Sequence, residues 1–251
     1  MTELIRYPQT VFLLSFVVLW LAARIGAAFK GLQESDREIF GVVRSAALTL
    51  MGLIIGFSFS MASSRYDQRK NLEQAEASAI STEYSRADYL PAPEAAKVRS
   101  LLLRYLDQRL LFYRTRSDHQ LEQINATLAQ LETDIWATIH GPATANPTQI
   151  AALVVSGAND VANARGFTEA AWLNRIPNAA WLLMFGIAVS CNLLIGYGLK
   201  LTGARGPILL IIPLVVAICF CLIADIDSPR GGVVRVNPYS LEGVSRYLRG
   251  Q

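Results

Sequence analysis

Four strongly apolar stretches, each about the length of a bilayer span, lie in two pairs at opposite ends of the chain. They cover Thr10–Phe29, Arg44–Ala62, Trp181–Leu199 and Pro207–Ala224. An α-helix rises about 1.5 Å per residue, so some 20 apolar residues cross the hydrocarbon layer of about 30 Å. The pattern predicts an all-α integral membrane protein with four transmembrane helices.

The segment between the two pairs predicts an inserted soluble domain. Apolar residues make up 52% of the chain, yet 17% of the residues are charged, which is more than a wholly intramembrane bundle would carry. No run of alternating apolar and polar residues indicates strands in the segment. The expected organisation is an N-terminal span pair over 1–62, a cytosolic α-helical domain over 63–176, a C-terminal span pair over 177–226 and a cytosolic tail over 227–251.

The second span is predicted to continue into the soluble domain as one long helix. No proline or glycine follows Ser64 until Pro91 and Pro93, and the residues between are good helix formers. A helical hairpin is expected next, which Gly141-Pro142 should end, and a last helix should start near Pro147. Apolar residues of this hairpin step by three and four, as in a heptad: Leu121, Ile124, Leu128, Leu131 and Ile135.

Composition and motifs argue against several classes of function. The net charge is only +3 and no dense basic run occurs, so nucleic-acid binding has no support. His119 and His140 have no cysteine or carboxylate at metal-ligand spacing. A phosphate-binding glycine loop and a nucleophile elbow are both missing from the sequence. We expect a protein that is not an enzyme, needs no metal or cofactor, and has the lipid bilayer as its surroundings.

Small residues recur every four positions along the second span, at Gly52, Gly56, Ser60 and Ser64. Such a row lets another helix approach closely. It predicts either packing within the same subunit or a face that lines a pore or a subunit interface. Phe57 and Phe59 lie about 200° apart on this helix, so at most one of them shares a given face.

The fourth span ends in a pair of carboxylates, Asp225 and Asp227. Charges where an apolar span meets water are costly unless they are solvated, paired or bound to an ion. Arg230 is the obvious partner, and a salt-bridged anchor at the membrane interface is the favoured interpretation. A ring of carboxylates that attracts cations and half of a calcium site are the alternatives, although calcium usually takes six or more oxygens.

Several segments of the chain resemble the bacterial bestrophin-like domain proteins, a membrane family of unknown function. They are Gly52–Lys70, the Glu76–Tyr84 helix with Arg86-Ala87-Asp88, Arg175-Ile176-Pro177 and Asp225–Gly232. The analogy to bestrophins themselves implies an oligomeric channel with cytosolic termini, a second helix that lines the pore, and an acidic calcium clasp after the last span. By position, the counterparts are Phe57 and Phe59 on the second helix, and Asp225 and Asp227 after the fourth. The acidic run here is two residues rather than a dense cluster.

Two hypotheses for the function follow. In the first, the chain is a homo-oligomeric channel for inorganic ions, and its second span lines the pore with Gly52, Gly56, Phe57, Phe59 and Ser60. In the second, it is a non-conducting, membrane-anchored scaffold or sensor that binds partners through Leu121–Ile135. Both hypotheses share one topology. More basic residues lie on the side of the membrane that holds the termini and the central domain than on the opposite side. This excess predicts that the termini and the central domain are in the cytoplasm of a bacterium, with the spans in the inner membrane.

This orientation predicts a labelling pattern in intact cells. A cysteine introduced at Ser117 should resist a membrane-impermeant thiol reagent, because the predicted cytosolic domain is shielded by the bilayer. A cysteine at Thr202 should react. The native residues Cys191, Cys219 and Cys221 lie inside predicted spans and should give a low background. The reverse pattern would invert the predicted topology.

Overall fold

The computed structural model describes residues 7–29, 37–202 and 208–250, and these residues form α-helices and one short 3-10 helix, without strands. Arg6, Lys30 and Arg205, which contribute to the predicted charge asymmetry, lie outside the described residues, as does Pro207. The helices are α1 (Pro8–Ala28), α2 (Arg37–Arg86), α3 (Ala92–Arg114), α4 (Asp118–Ala145), α5 (Gln149–Leu173), α6 (Asn178–Thr202), α7 (Ile208–Asp227) and α8 (Tyr239–Leu248), with the 3-10 helix at Ala87–Tyr89.

The predicted spans correspond to α1, α2, α6 and α7, and the described residues contain four helices long and apolar enough to cross a membrane. The long second helix is also confirmed, because α2 runs for 50 residues without a break. It ends before Pro91, as predicted. Pro93 lies in the first turn of the next helix, where the backbone N–H that proline lacks is not needed.

One predicted helix end is wrong. Gly141-Pro142 does not end the second helix of the hairpin, since α4 continues to Ala145 with Pro142 inside it. A proline removes one backbone hydrogen bond, and within the last turn that loss affects little of the helix. The Pro142 carbonyl still accepts the N–H of Asn146 at 3.1 Å, which closes the final turn.

The chain divides into two compact units. The membrane unit comprises residues 1–66 and 175–235, and the helical unit comprises residues 67–174 and 236–251. The C-terminal residues therefore belong to the helical unit. There the backbone N–H of Leu241 in α8 donates to Glu73 at 2.9 Å, and Arg249 pairs with Asp107 at 2.6 Å.

Aromatic rings form the centre of the membrane unit. Trp181 is fully buried and meets the ring of Phe220 edge-on at 6.2 Å, and Phe185 meets Phe220 at 4.9 Å. Buried aliphatic side chains from each of the four spans surround these rings, among them Leu19, Met51, Met184 and Ile223.

Glycines let α1 and α6 touch backbone to backbone. A Cβ added at Gly196 would overlap the carbonyl of Ala23, and one added at Gly26 would overlap the carbonyl of Leu193. A Cβ at Gly198 would meet the guanidinium of Arg44 at 2.6 Å. The Gly196-Tyr197-Gly198 triplet therefore serves helix packing, and it lies within the continuous helix α6.

Substitution of Gly196 by alanine should destabilise the membrane unit by roughly 1–3 kcal/mol, because the new methyl group forces two helix backbones apart. The matched control is Gly186→Ala on the same helix, where an added Cβ meets no atom within 4 Å. The free energy of unfolding in detergent micelles is the measurement. Equal stability of the two variants would contradict the close packing of α1 on α6.

Candidate functional site

The membrane-spanning part of α2 is almost bare within the chain. Only 6% of the most apolar 18-residue stretch of α2 is buried, whereas the corresponding shares for the other three spans are 33%, 39% and 44%. The three other helices therefore form a packed group, and α2 presents most of its surface to whatever surrounds a single copy. In a bilayer, that surface contacts either lipid, another copy or water.

The predicted row of small residues occupies the exposed face of α2. Gly52, Gly56, Ser60 and Ser64 are all exposed, and a Cβ added to either glycine meets no atom within 4 Å. At about 100° per residue, the row lies opposite the buried stripe of the helix, which consists of Met51, Ser58 and Ala62. Among the described residues, none packs on the row, so packing within the subunit, which was one of the two roles predicted for it, has no support here.

Two more hydroxyl residues extend the row toward the start of the helix. Ser45 and Thr49 are exposed and fall within roughly 60° of the line through Gly52 and Gly56. The hydroxyl of Thr49 donates to the Ser45 carbonyl at 3.0 Å, so its own helix satisfies it. The exposed face of α2 thus carries hydroxyl groups and bare backbone along the apolar span, together with the exposed aliphatic side chains of Val42 and Leu53.

The phenylalanines flank this row. Phe57 is 62% exposed and Phe59 is 41% exposed, and each lies roughly 80° from the centre of the row, on opposite sides. Neither ring covers the small residues. Their assignment to a pore stays a prediction.

Backbone N–H groups hold the two carboxylates at the end of α7. The oxygens of Asp225 accept the N–H groups of Val233 and Val234, each at 2.7 Å. Both oxygens of Asp227 lie within 3.1 Å of the Ile176 N–H. A side chain at Gly232 would overlap the Asp225 carbonyl, so the returning chain passes close to the helix end. The predicted ion pair with Arg230 stays a prediction.

These contacts do not fit a calcium clasp. Positively polarised N–H groups point at the oxygens that a cation would need, and both carboxylates are buried. Calcium sites gather six to eight oxygens. In the part of the chain that the structure describes, no three His, Cys, Asp or Glu residues are grouped to hold a metal ion. These contacts give the calcium alternative for Asp225 and Asp227 no support, and it stays a prediction.

A buried ion pair occupies the core of the helical unit. Arg109 of α3 donates to both carboxylate oxygens of Glu76 of α2, and both side chains are fully buried. Tyr113 and Thr168 donate their hydroxyls to the same carboxylate at 3.3 and 3.2 Å. The guanidinium also lies 4.2 Å from the centre of the Phe112 ring. The charge of each partner is thus compensated from several sides, as burial requires.

The pair and its burial shift the pKa values of nearby groups. Burial raises the pKa of the Tyr113 hydroxyl, and the negative charge of Glu76 raises it further. Burial alone would lower the pKa of Arg109, but the charge and hydrogen bonds of Glu76 hold it above its ordinary value. Both tyrosine and arginine therefore stay protonated throughout the physiological range, and the network is structural.

A second set of charges joins α4 and α5. Arg165 contacts Glu132 at 3.0 Å and Glu169 at 2.7 Å, and Tyr105 donates to Glu132 at 3.2 Å. Sequence analysis placed no site here. The sequence feature that could have indicated buried charges is a charged residue among apolar ones. Arg109 falls on the apolar face of α3, and Glu76 is next to the buried Ala77.

These observations define an all-helical integral membrane protein with one span left largely unburied. The model of the Bestrophin-like domain family matches residues 10–241, which is most of the chain. The chain belongs to this family, and the resemblance noted from the sequence is confirmed. The comparison with curated proteins finds no match.

Solved structures confirm the fold. A bacterial Bestrophin homolog from Klebsiella pneumoniae, phased with zinc, is 16% identical, and the match covers 96% of each chain with a TM-score of 0.65. A point mutant of the bacterial Bestrophin homolog from the same organism is 16% identical over 96% of this chain and 99% of that chain, with a TM-score of 0.65. A crystal structure described as a membrane protein is 15% identical over 95% and 99%, also with a TM-score of 0.65.

Replacement of Arg109 by leucine should destabilise the helical unit by about 3–5 kcal/mol, because it leaves the Glu76 carboxylate buried without its counterion. The control is Arg114→Leu, which removes an exposed pair with Glu242 and should cost at most about 1 kcal/mol. Denaturant unfolding of the full chain in detergent measures both. A small, equal effect of the two substitutions would show that the buried pair is dispensable.

Proposed function

We propose that the protein is a homo-oligomeric ion channel in which several copies of α2 surround a water-filled pore. The observation that carries this proposal is the exposed row Ser45, Thr49, Gly52, Gly56 and Ser60 on an otherwise bare span. Inorganic ions are the proposed permeants. The bacterial inner membrane is the proposed location, with both termini and the central domain in the cytoplasm.

The chemistry of the row favours water over lipid. Lipid chains make their most favourable contacts with large aliphatic side chains. The other spans expose such side chains, among them Leu182, Leu210 and Ile218. Hydroxyl groups and glycine backbone gain nothing from contact with lipid, and polar residues within membrane spans generally face a bundle interior or an aqueous cavity. A ring of copies supplies that cavity, because each copy leaves the same face of α2 unoccupied.

The comparisons support this assignment at the level of the family. Bestrophins themselves are oligomeric channels, and the solved structures with this fold include bacterial Bestrophin homologs. In the proposed channel the central line of the pore-facing row is small and hydroxylated, and Phe57 and Phe59 border it. Contacts between neighbouring copies would then fall on one or both of these rings.

The scaffold hypothesis was based on an exposed apolar surface along Leu121–Ile135, and most of that surface is buried. Ile124, Leu128, Leu131 and Ile135 are buried in the core of the helical unit, and Leu121 is half-buried. Most of the heptad stripe is therefore covered by the domain's own helices.

The channel hypothesis predicts water access at the row. In a protein whose three native cysteines are replaced by alanine, Ser60→Cys should react with a charged thiol reagent in planar bilayers and the current should fall, because thiolates form in water and not in hydrocarbon. The matched control is Leu182→Cys on α6, which is 65% exposed and should react slowly. Alanine at Phe57 or Phe59 should alter the single-channel conductance.

Two results would contradict the proposal. A monomeric particle in both detergent and lipid nanodiscs would remove the ring that the pore requires. Equal reactivity at positions 60 and 182, with no change in current, would place both faces in the same lipid environment.

A further inference from the structure

Glu83 of α2 is a carboxyl group buried without a hydrogen-bond partner. Its side chain is fully inaccessible, and among the described residues neither carboxylate oxygen has a donor or acceptor in reach. Buried carboxyl groups in native proteins are almost always paired, because an isolated charge in a low-dielectric interior is costly. Glu73 and Glu76, on the same face of α2, both have partners. Glu83 therefore needs an explanation of its own.

The local packing makes room for this carboxyl group. It lies against the backbone of Gly157 in α5, where any Cβ would overlap one of its oxygens. Each helix carries a buried apolar residue one turn before this contact, Ile80 before Glu83 on α2 and Val154 before Gly157 on α5. The slot thus fits a neutral carboxylic acid by shape and disfavours a carboxylate by polarity.

Two opposite charges act on the group, and the nearer one borders the slot, because a Cβ at Gly157 would also meet the Arg86 guanidinium at 2.9 Å. Arg86, one turn further along α2, donates to the Leu153 carbonyl at 3.3 Å and lies 3.6 Å from Asp160 of α5. On α3, Arg99 is held by Asp88 of the 3-10 helix and lies 5.1 Å from the centre of the Tyr84 ring, so that pair is internally neutral. The charges that act most on Glu83 are therefore those of Arg86 and Asp160, and these two residues already contact each other.

We propose that Glu83 is a proton-binding site that controls the packing of α2 on α5. With the proton bound, the neutral acid fills the slot beside Gly157 and the two helices stay in contact. When the proton leaves, the carboxylate has no hydrogen bond in this arrangement, so the contact between α2 and α5 has to change before the charge is solvated or paired. The site thus couples the acidity of the medium around the helical unit to the freedom of the helix that carries the exposed row.

The titration falls in a physiological range. Burial raises the pKa of Glu83 from 4.5 to about 8; the positive charge of Arg86 opposes the rise and Asp160 adds to it. In the unfolded chain this carboxyl loses its proton near its ordinary pKa, whereas in the folded chain it keeps the proton up to about 8. The stability of the helical unit therefore falls as pH rises from about 4.5 to about 8, and Glu83→Gln should remove that fall.

Infrared difference spectroscopy of the full-length protein in detergent tests the proposal without any measurement of current. The wild type should lose a protonated-carboxyl C=O band as pH rises through about 8, and Glu83→Gln should lack that band. Amide hydrogen exchange of residues 153–161, corrected for the intrinsic effect of pH, should speed up over the same range in the wild type only. Glu122→Gln, at an exposed position of α4, is the matched control and should behave as the wild type.

Two neighbouring substitutions separate proton binding from a purely structural role. Arg86→Gln removes the attractive charge and should move the titration midpoint to higher pH. Asp160→Asn removes the repulsive charge and should move it to lower pH. Shifts in opposite directions support the proposal. A carboxyl band that persists in Glu83→Gln, or exchange in residues 153–161 that is independent of pH in the wild type, would overturn it, whether or not the protein conducts ions.

Discussion

Backbone hydrogen bonding inside a bilayer is the constraint on which this structure depends. Each span must satisfy its own N–H and C=O groups, so each is a complete helix, and the spans can differ only in what their surfaces contact. In α1, α6 and α7 those surfaces are buried against one another through glycine contacts and aromatic rings. In α2 the same constraint yields a helix of 50 residues whose membrane portion has an open face and whose remainder is part of a buried core. One element thus belongs to both units of the chain.

Much of this architecture could be predicted from the sequence because it depends on long, periodic patterns. Span lengths, the unbroken α2 and the helix from near Pro147 follow from apolar runs and from the positions of prolines. The end of α4 could not be predicted in the same way, because the effect of Pro142 depends on whether a helix has one turn or many still to form. The burial of Arg109, Glu76 and Glu83 was equally hidden. A charged residue on an apolar stripe has meaning only once its partner, or the lack of one, is visible.

The glycines show the limit of local motifs most clearly. Gly52 and Gly56 have the spacing expected of a helix-packing row, yet none of the described residues packs on them. Gly26 and Gly196 stand in different helices and form no motif, yet each lies directly against the backbone of the other helix. Spacing within one helix indicates which residues share a face. Whether that face is filled depends on the other helices, and in α2 it depends on molecules beyond the single chain.

The carboxylates at the end of α7 have a consequence for the order of assembly. Acidic groups at a helix C-terminus face the negative end of the helix dipole, so Asp225 and Asp227 are unfavourable there in isolation. Their compensation comes from Ile176, before α6, and from Val233 and Val234, which follow the span. The end of the last span at Asp227 is therefore held by residues on either side of the hairpin. The carboxylates of α7 reach their final contacts only together with the residues that precede α6 and those that follow Asp227.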